Sequence, residues 1–233
     1  PGFDVTISKF NATGTSLEYS TYLGGSGNES VHSLVTDDQG HLYAMGVTSS
    51  PNFPTVTGCI DQTFNGGPTI ITNELGFQGA DIYVCHFDAA GSALVGSTYL
   101  GGSGTDGIND GSLFFNYGDP FRGEIVVRSG AVYITSSTSS SNFPTANAFQ
   151  STLNGTQDAV VIKMNTGLTT LIWSTYVGGS GFDSGNGIQL SSTGEVFVAG
   201  GTTSTNMPFT SGADLSYNGG ISDAYLMRLS NAS

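Results

Sequence analysis

The 233-residue chain sets five Lys and Arg against 18 Asp and Glu, a net charge of -13, with charged residues only 10% of the whole and 35 glycines. Phosphate recognition needs clustered Lys and Arg to neutralise charge, so nucleic acid and anionic membrane surfaces are poor partners. No run approaches the roughly 18 apolar residues of a bilayer-spanning helix, and no basic-then-apolar leader precedes the first strand, so neither direct membrane insertion nor a retained signal segment is expected.

In chain order the same landmarks return. Asp4 opens an apolar stretch, and the string Ser-Thr-Tyr-Leu-Gly-Gly-Ser-Gly follows at 20–27; it recurs at 97–104 and, with Val for Leu, at 174–181, so that Tyr22, Tyr99 and Tyr176 stand 77 residues apart. The Asp to Tyr distance is 18 residues in every copy, from Asp4, Asp81 and Asp158, and a fourth Asp stands at 223. An Asn-Phe/Met-Pro tripeptide begins at Asn52, Asn142 and Asn206, but Tyr to Asn counts 30, 43 and 30 residues. The bare unit is the 65 residues from Asp158 to Asp223, and two insertions of about 13 residues enlarge the earlier copies: one near 68–79, after the tripeptide, and one near 107–121, before it. An internal repeat of this kind decides the architecture.

In the third copy, residues 158–164 alternate apolar and other side chains, 170–177 are rich in β-branched and aromatic types, and 187–191 and 195–202 are two more such runs. Each is bounded by Gly, Ser, Thr or Asn, the pattern of strands between turns. The separators 38–40, 129–130 and 192–194 carry Gly where a tight hairpin requires positive φ. Four antiparallel strands per repeat, with Gly and aromatic landmarks, predict an all-β, propeller-type array.

The strings Ser-Thr-Tyr-Leu-Gly-Gly-Ser-Gly-x-Asp, Gly-x-Val-Phe-Val-Ala-Gly-x-Thr-x-Ser at 194–204, Asn-Phe-Pro-Thr and Asp-Ala-x-x-x-Lys at 158–163 resemble the SBBP repeat, a β-propeller repeat of bacterial secreted and cell-surface proteins. The resemblance covers essentially the whole chain and specifies fold more sharply than function. It implies a secreted or cell-surface location, sometimes reached by type IX secretion, and an adhesin-like role. Independently of it, the lack of a catalytic motif points away from an enzyme, no cofactor is expected, and the insertion aromatics suit protein or glycan partners. The chain departs from the pattern after Asp106, where the second insertion begins, and at Met207, which replaces the usual Phe. By analogy with other propellers, 31–36, 124–128 and 187–191 are innermost strands and 41–48, 131–138 and 195–202 are second strands. The third strand starts at the recurring Asp and the fourth ends at the Tyr. The array is then a partial blade at 1–28, blades at 29–104 and 105–181, and a partial blade at 182–233, to be completed by blades of the same or another chain.

In a four-stranded meander both insertions, every Gly-Gly-Ser-Gly and every Asn-Phe-Pro fall at one end, and long loops on a rigid scaffold carry binding residues disproportionately. The first insertion offers Asn73, Glu74 and Phe77, the second Phe115, Tyr117, Asp119, Phe121 and Arg122. These aromatics either stack on a sugar or anchor a protein, or they fold inward over the blade edges. The acids after the Gly-rich turns, Glu29, Asp106 and Asp183, either contribute to a calcium site, which needs six to eight oxygens, or cap their own turns. Cys59 and Cys85 are either a disulfide or two small buried thiols. His32, His41 and His86 stand singly, and neither a metal-spaced His pair nor a nucleophile elbow is present. The runner-up readings are a carbohydrate-active lyase or glycosidase, needing acids and a His, Tyr or Arg converging near the axis, and a purely structural spacer.

Overall fold

A computed structural model describes residues 2–72, 75–113 and 120–229. In chain order the strands are β1 (Val5–Phe10), β2 (Leu17–Leu23), β3 (Glu29–Thr36), β4 (Leu42–Thr48), β5 (Thr69–Thr72), β6 (Leu75–Gln78), β7 (Asp81–Phe87), β8 (Leu94–Leu100), β9 (Glu124–Arg128), β10 (Ala131–Thr138), β11 (Asp158–Asn165), β12 (Leu171–Val177), β13 (Asp183–Leu190), β14 (Val196–Thr202) and β15 (Asp223–Leu229). Every strand pair is antiparallel, and among the described residues there is no α-helix, only a 3-10 turn at Gly111–Leu113. Two meanders are complete, β3-β4-β7-β8 and β9-β10-β11-β12; β13-β14-β15 forms a three-stranded sheet and β1-β2 a ribbon. Each sheet lies within one of the four segments expected from the repeat. Gly40 (φ 82°) and Gly194 (φ 87°) sit in the left-handed region, in the β3–β4 and β13–β14 turns, where a side chain would be strained.

The central strands β4, β7 and β10 are buried at every position because both faces of their sheets are covered. One cluster packs Met45 and Val84 of the first meander against Ile134 and Ile162 of the second. Another packs Tyr133 and Val161 of the second against Ile188 and Val198 of the three-stranded sheet. A third lays Val5, Ile7 and Leu23 of the ribbon on Tyr83 and Cys85. The sheets thus stack in chain order, each junction holding side chains worth about 1.5–3 kcal/mol apiece when fully buried. Strand β9 lies beside both β3 and β13, so the first strands of successive sheets adjoin. The outward faces of the two terminal sheets remain open, with Tyr22 78% and Leu226 72% exposed.

Two first strands begin earlier than the apolar runs predict. The ladder continues back to Glu29 opposite Thr48 and Asp183 opposite Thr202, past bulges around His32 and Asn186. A bulge breaks the two-residue alternation on which the sequence reading rests. The first insertion is not an irregular loop but a hairpin, β5-β6. The cysteines are free thiols: Cys85 lies 3.3 Å from the Ser97 hydroxyl, while the Cys59 thiol donates to the Asp61 carbonyl.

Candidate functional site

At the end of the sheets that carries the insertions, each repeated acid is enclosed by its own turn. Thr48 Oγ1 and Ser50 Oγ donate to Glu29 Oε1 at 2.6 and 2.5 Å, and the Gly25 N–H donates to Oε2 at 3.1 Å. Asp106 receives Thr138, Ser140 Oγ at 2.8 Å and the Gly102 N–H at 2.8 Å. Asp183 receives Thr202, Ser204 Oγ at 2.8 Å and the Gly179 N–H at 2.8 Å. Burial pushes Asp106 up to about 6 and raises Asp183, with these donors pulling the other way. Both oxygens of each carboxylate are thus engaged by protein donors, and the calcium reading of the three acids gains no support from this geometry.

The repeated asparagines and two of the three repeated tyrosines are engaged as well. Asn52, Asn142 and Asn206 each accept, through Oδ1, the N–H and hydroxyl of Ser26, Ser103 and Ser180 at 2.7–2.9 Å. Tyr99 donates its hydroxyl to the Ser50 carbonyl at 2.7 Å and accepts the Phe53 N–H at 2.9 Å; Tyr176 does the same with Ser140 at 2.7 Å and Phe143 at 3.0 Å. The first Gly of the Gly-Gly pair is required by space. A Cβ on Gly101 would stand 2.5 Å from Asp81 Oδ1 and 3.0 Å from Asp106 Oδ2. Burial, with the nearby Asp106 charge adding to it and the Asn65 N–H opposing it, pushes Asp81 up to about 7.

The two insertions meet each other. Phe77 of the first is fully buried with Val47, Ala80 and Ile108, and its ring centroid lies 5.3 Å from that of Phe121 of the second. Phe121 in turn covers His32 at 5.9 Å. Of the candidate partner residues, Phe77 is therefore buried, Phe121 packs against it partly buried, and Arg122 is half-buried. Asn73, Glu74, Phe115, Tyr117 and Asp119 lie outside the described residues. Both ring nitrogens of His32 are buried without a hydrogen-bond partner, and burial lowers its pKa to about 4, so the ring is neutral.

At the opposite end the structure assembles a cluster that residue spacing does not reveal. Asp37 follows β3, His41 precedes β4, and His86 is on β7. A ligating atom from each lies within 4.8 Å of the other two. Asp37 Oδ1 accepts the N–H groups of Gln39 and His41, both at 2.9 Å, and its Oδ2 lies 2.9 Å from His41 Nδ1. His86 Nδ1 is 2.9 Å from the Thr166 carbonyl, its ring stacks on Tyr43 at 4.1 Å, and its Nε2 is buried without a partner. Burial first, with the His41 charge adding to it, lowers the His86 pKa, against the pull of the Thr166 carbonyl. The signal that could have found this cluster is strand register: Tyr43 pairs with His86, which puts His41 on the diagonal of the same face.

No protein-family model matches this chain, and no curated protein matches it. Its functional reading therefore rests on the side chains themselves.

Proposed function

We propose that the chain is part of a β-propeller-type array, serving as a non-catalytic exported or cell-surface module for adhesion or scaffolding, with a protein or glycan partner. The observation that carries this reading is the occupancy of the repeated motif. Its acids, serines, threonines, asparagines and two of its three tyrosines are engaged in hydrogen bonds within the sheets, so the motif is framework and presents no reactive group. The adjoining first strands and the open apolar faces of the two terminal sheets favour a radial stack to which further blades add. Binding chemistry then falls to the insertions, the parts in which the copies differ.

The test is a polysaccharide and surface-protein binding screen run with a parallel assay for product release. Expected is binding without release, weakened when residues 73–74 and 114–119 are replaced by Gly and Ser. Release of a shortened glycan that one acid-to-amide change abolishes would establish the carbohydrate-active alternative instead, and binding indifferent to both replacements would leave a spacer.

A further inference from the structure

We infer that Asp37, His41 and His86 form a binding site for one transition-metal ion of the zinc class, at the end of the sheet opposite the insertions. The inference does not depend on the propeller reading. A backbone carbonyl only accepts, so the 2.9 Å contact to Thr166 means that His86 Nδ1 carries the proton and Nε2 carries the free lone pair. That nitrogen is buried and unpartnered in a side chain only 6% exposed, which is an unusual fate for a polar atom and a ready one for a ligand. Metal-bound histidines characteristically donate their other ring N–H to a carbonyl or carboxylate, which fixes the tautomer and the ring. Thr166 supplies that carbonyl, and Tyr43, stacked at 4.1 Å, holds the ring plane.

The remaining two donors are also placed. Asp37 is oriented by two backbone N–H groups, and its Oδ2 stands 2.9 Å from His41 Nδ1. Ligands at 2.0–2.1 Å from a tetrahedral zinc stand roughly 3.4 Å apart, so this pair needs only a slight opening, with the metal replacing the shared proton. A ligating atom of His86 lies at most 4.8 Å from those of the other two, so side-chain rotation closes the set. Two imidazoles and one carboxylate suit zinc, copper or nickel rather than calcium, which wants six to eight oxygens. Asp37, His41 and His86 all line a cleft of about 650 Å³. Arg128 lines the same cleft, but its Nη1 is held by the Leu190 and Ser191 carbonyls, both at 3.1 Å. A bound ion would tie the β3–β4 turn to β7 and, through Thr166, to the β11–β12 turn of the next sheet.

The full chain, stripped with EDTA, is titrated with Zn²⁺ by calorimetry and with Co²⁺ by visible absorption. Expected are one equivalent bound, tetrahedral Co²⁺ bands without a thiolate charge-transfer band, which separates this site from Cys59, and a Tm raised by Zn²⁺. Asp37→Asn and His41→Ala, at partly exposed positions, each weaken binding by about tenfold or more and remove the Tm shift, while His32→Asn changes neither. His86→Ala behaves like them, with its fold verified by circular dichroism. No uptake by the wild-type chain, or equal uptake by the Asp37→Asn/His41→Ala double variant, overturns the inference.

Discussion

Tyr99→Phe removes one oxygen atom and tests whether the repeated tyrosine is framework. The Tyr99 side chain is 1% exposed, and its hydroxyl joins β8 to the segment after β4 by donating to the Ser50 carbonyl and accepting the Phe53 N–H. The ring and its packing against Phe53 remain, so the loss is confined to two hydrogen bonds. Each contributes about 0.5–1.5 kcal/mol net, and the Phe53 N–H keeps its longer bond to the Ser50 carbonyl at 3.3 Å, so no donor is left without a partner. The expected destabilisation is therefore about 1–3 kcal/mol, read as a lower urea midpoint at unchanged slope, followed by far-UV circular dichroism and by the fluorescence of Trp173, the chain's one tryptophan. Tyr176→Phe, in the same bonding arrangement, should behave alike. Tyr22 is 78% exposed, so Tyr22→Phe should stay within about 0.5 kcal/mol of wild type. A Tyr99→Phe midpoint inside that same range, or an equal loss in Tyr22→Phe, would show that the hydroxyl bridge does not hold the sheet.

Gly101→Ala should cost about 1–3 kcal/mol by overpacking, because its Cβ would press on Asp81 and Asp106; a neutral result in the same urea titration would contradict the crowding. Stability should fall as pH rises from about 4 to about 7. Asp81 (about 7), Asp106 and Asp158 (both about 6) and Asp183 (raised) hold protons in the folded state that the unfolded chain releases near pH 3.9. His32, lowered to about 4, and His86, also lowered, work the other way, losing stability as pH falls below about 6.5. Four acids against two histidines predict a higher Tm at pH 5.5 than at 7.5, and His32→Asn should widen the gap; a Tm that climbs steadily with pH over that range contradicts the assignment. In a thiol-labelling assay half-buried Cys59 should react under native conditions. Cys85, buried and with its thiol pushed up to about 12, should react only on unfolding, and a chain without titratable thiols would restore the disulfide.

The second, third and fourth strands of the repeat, the hairpin turns and the parity that sends both insertions to one end were legible in the sequence, since they follow from nearest-neighbour geometry: alternation of side chains, Gly at 40 and 194, and a repeated Asp at each third strand. The framework role of Tyr99 and Tyr176 was legible only as repetition; their partners lie 33–49 residues away. Where Phe77 and Phe121 point was not legible, because a loop aromatic buries the same apolar area against a partner, against its own loop or against another loop. Tertiary packing chose the last of these, between Phe77 and Phe121, 44 residues apart in the chain. His41 and His86 likewise look solitary along the chain. Only the register of β4 on β7, set by long-range pairing and the apolar faces it must bury, brings them onto one face beside Asp37.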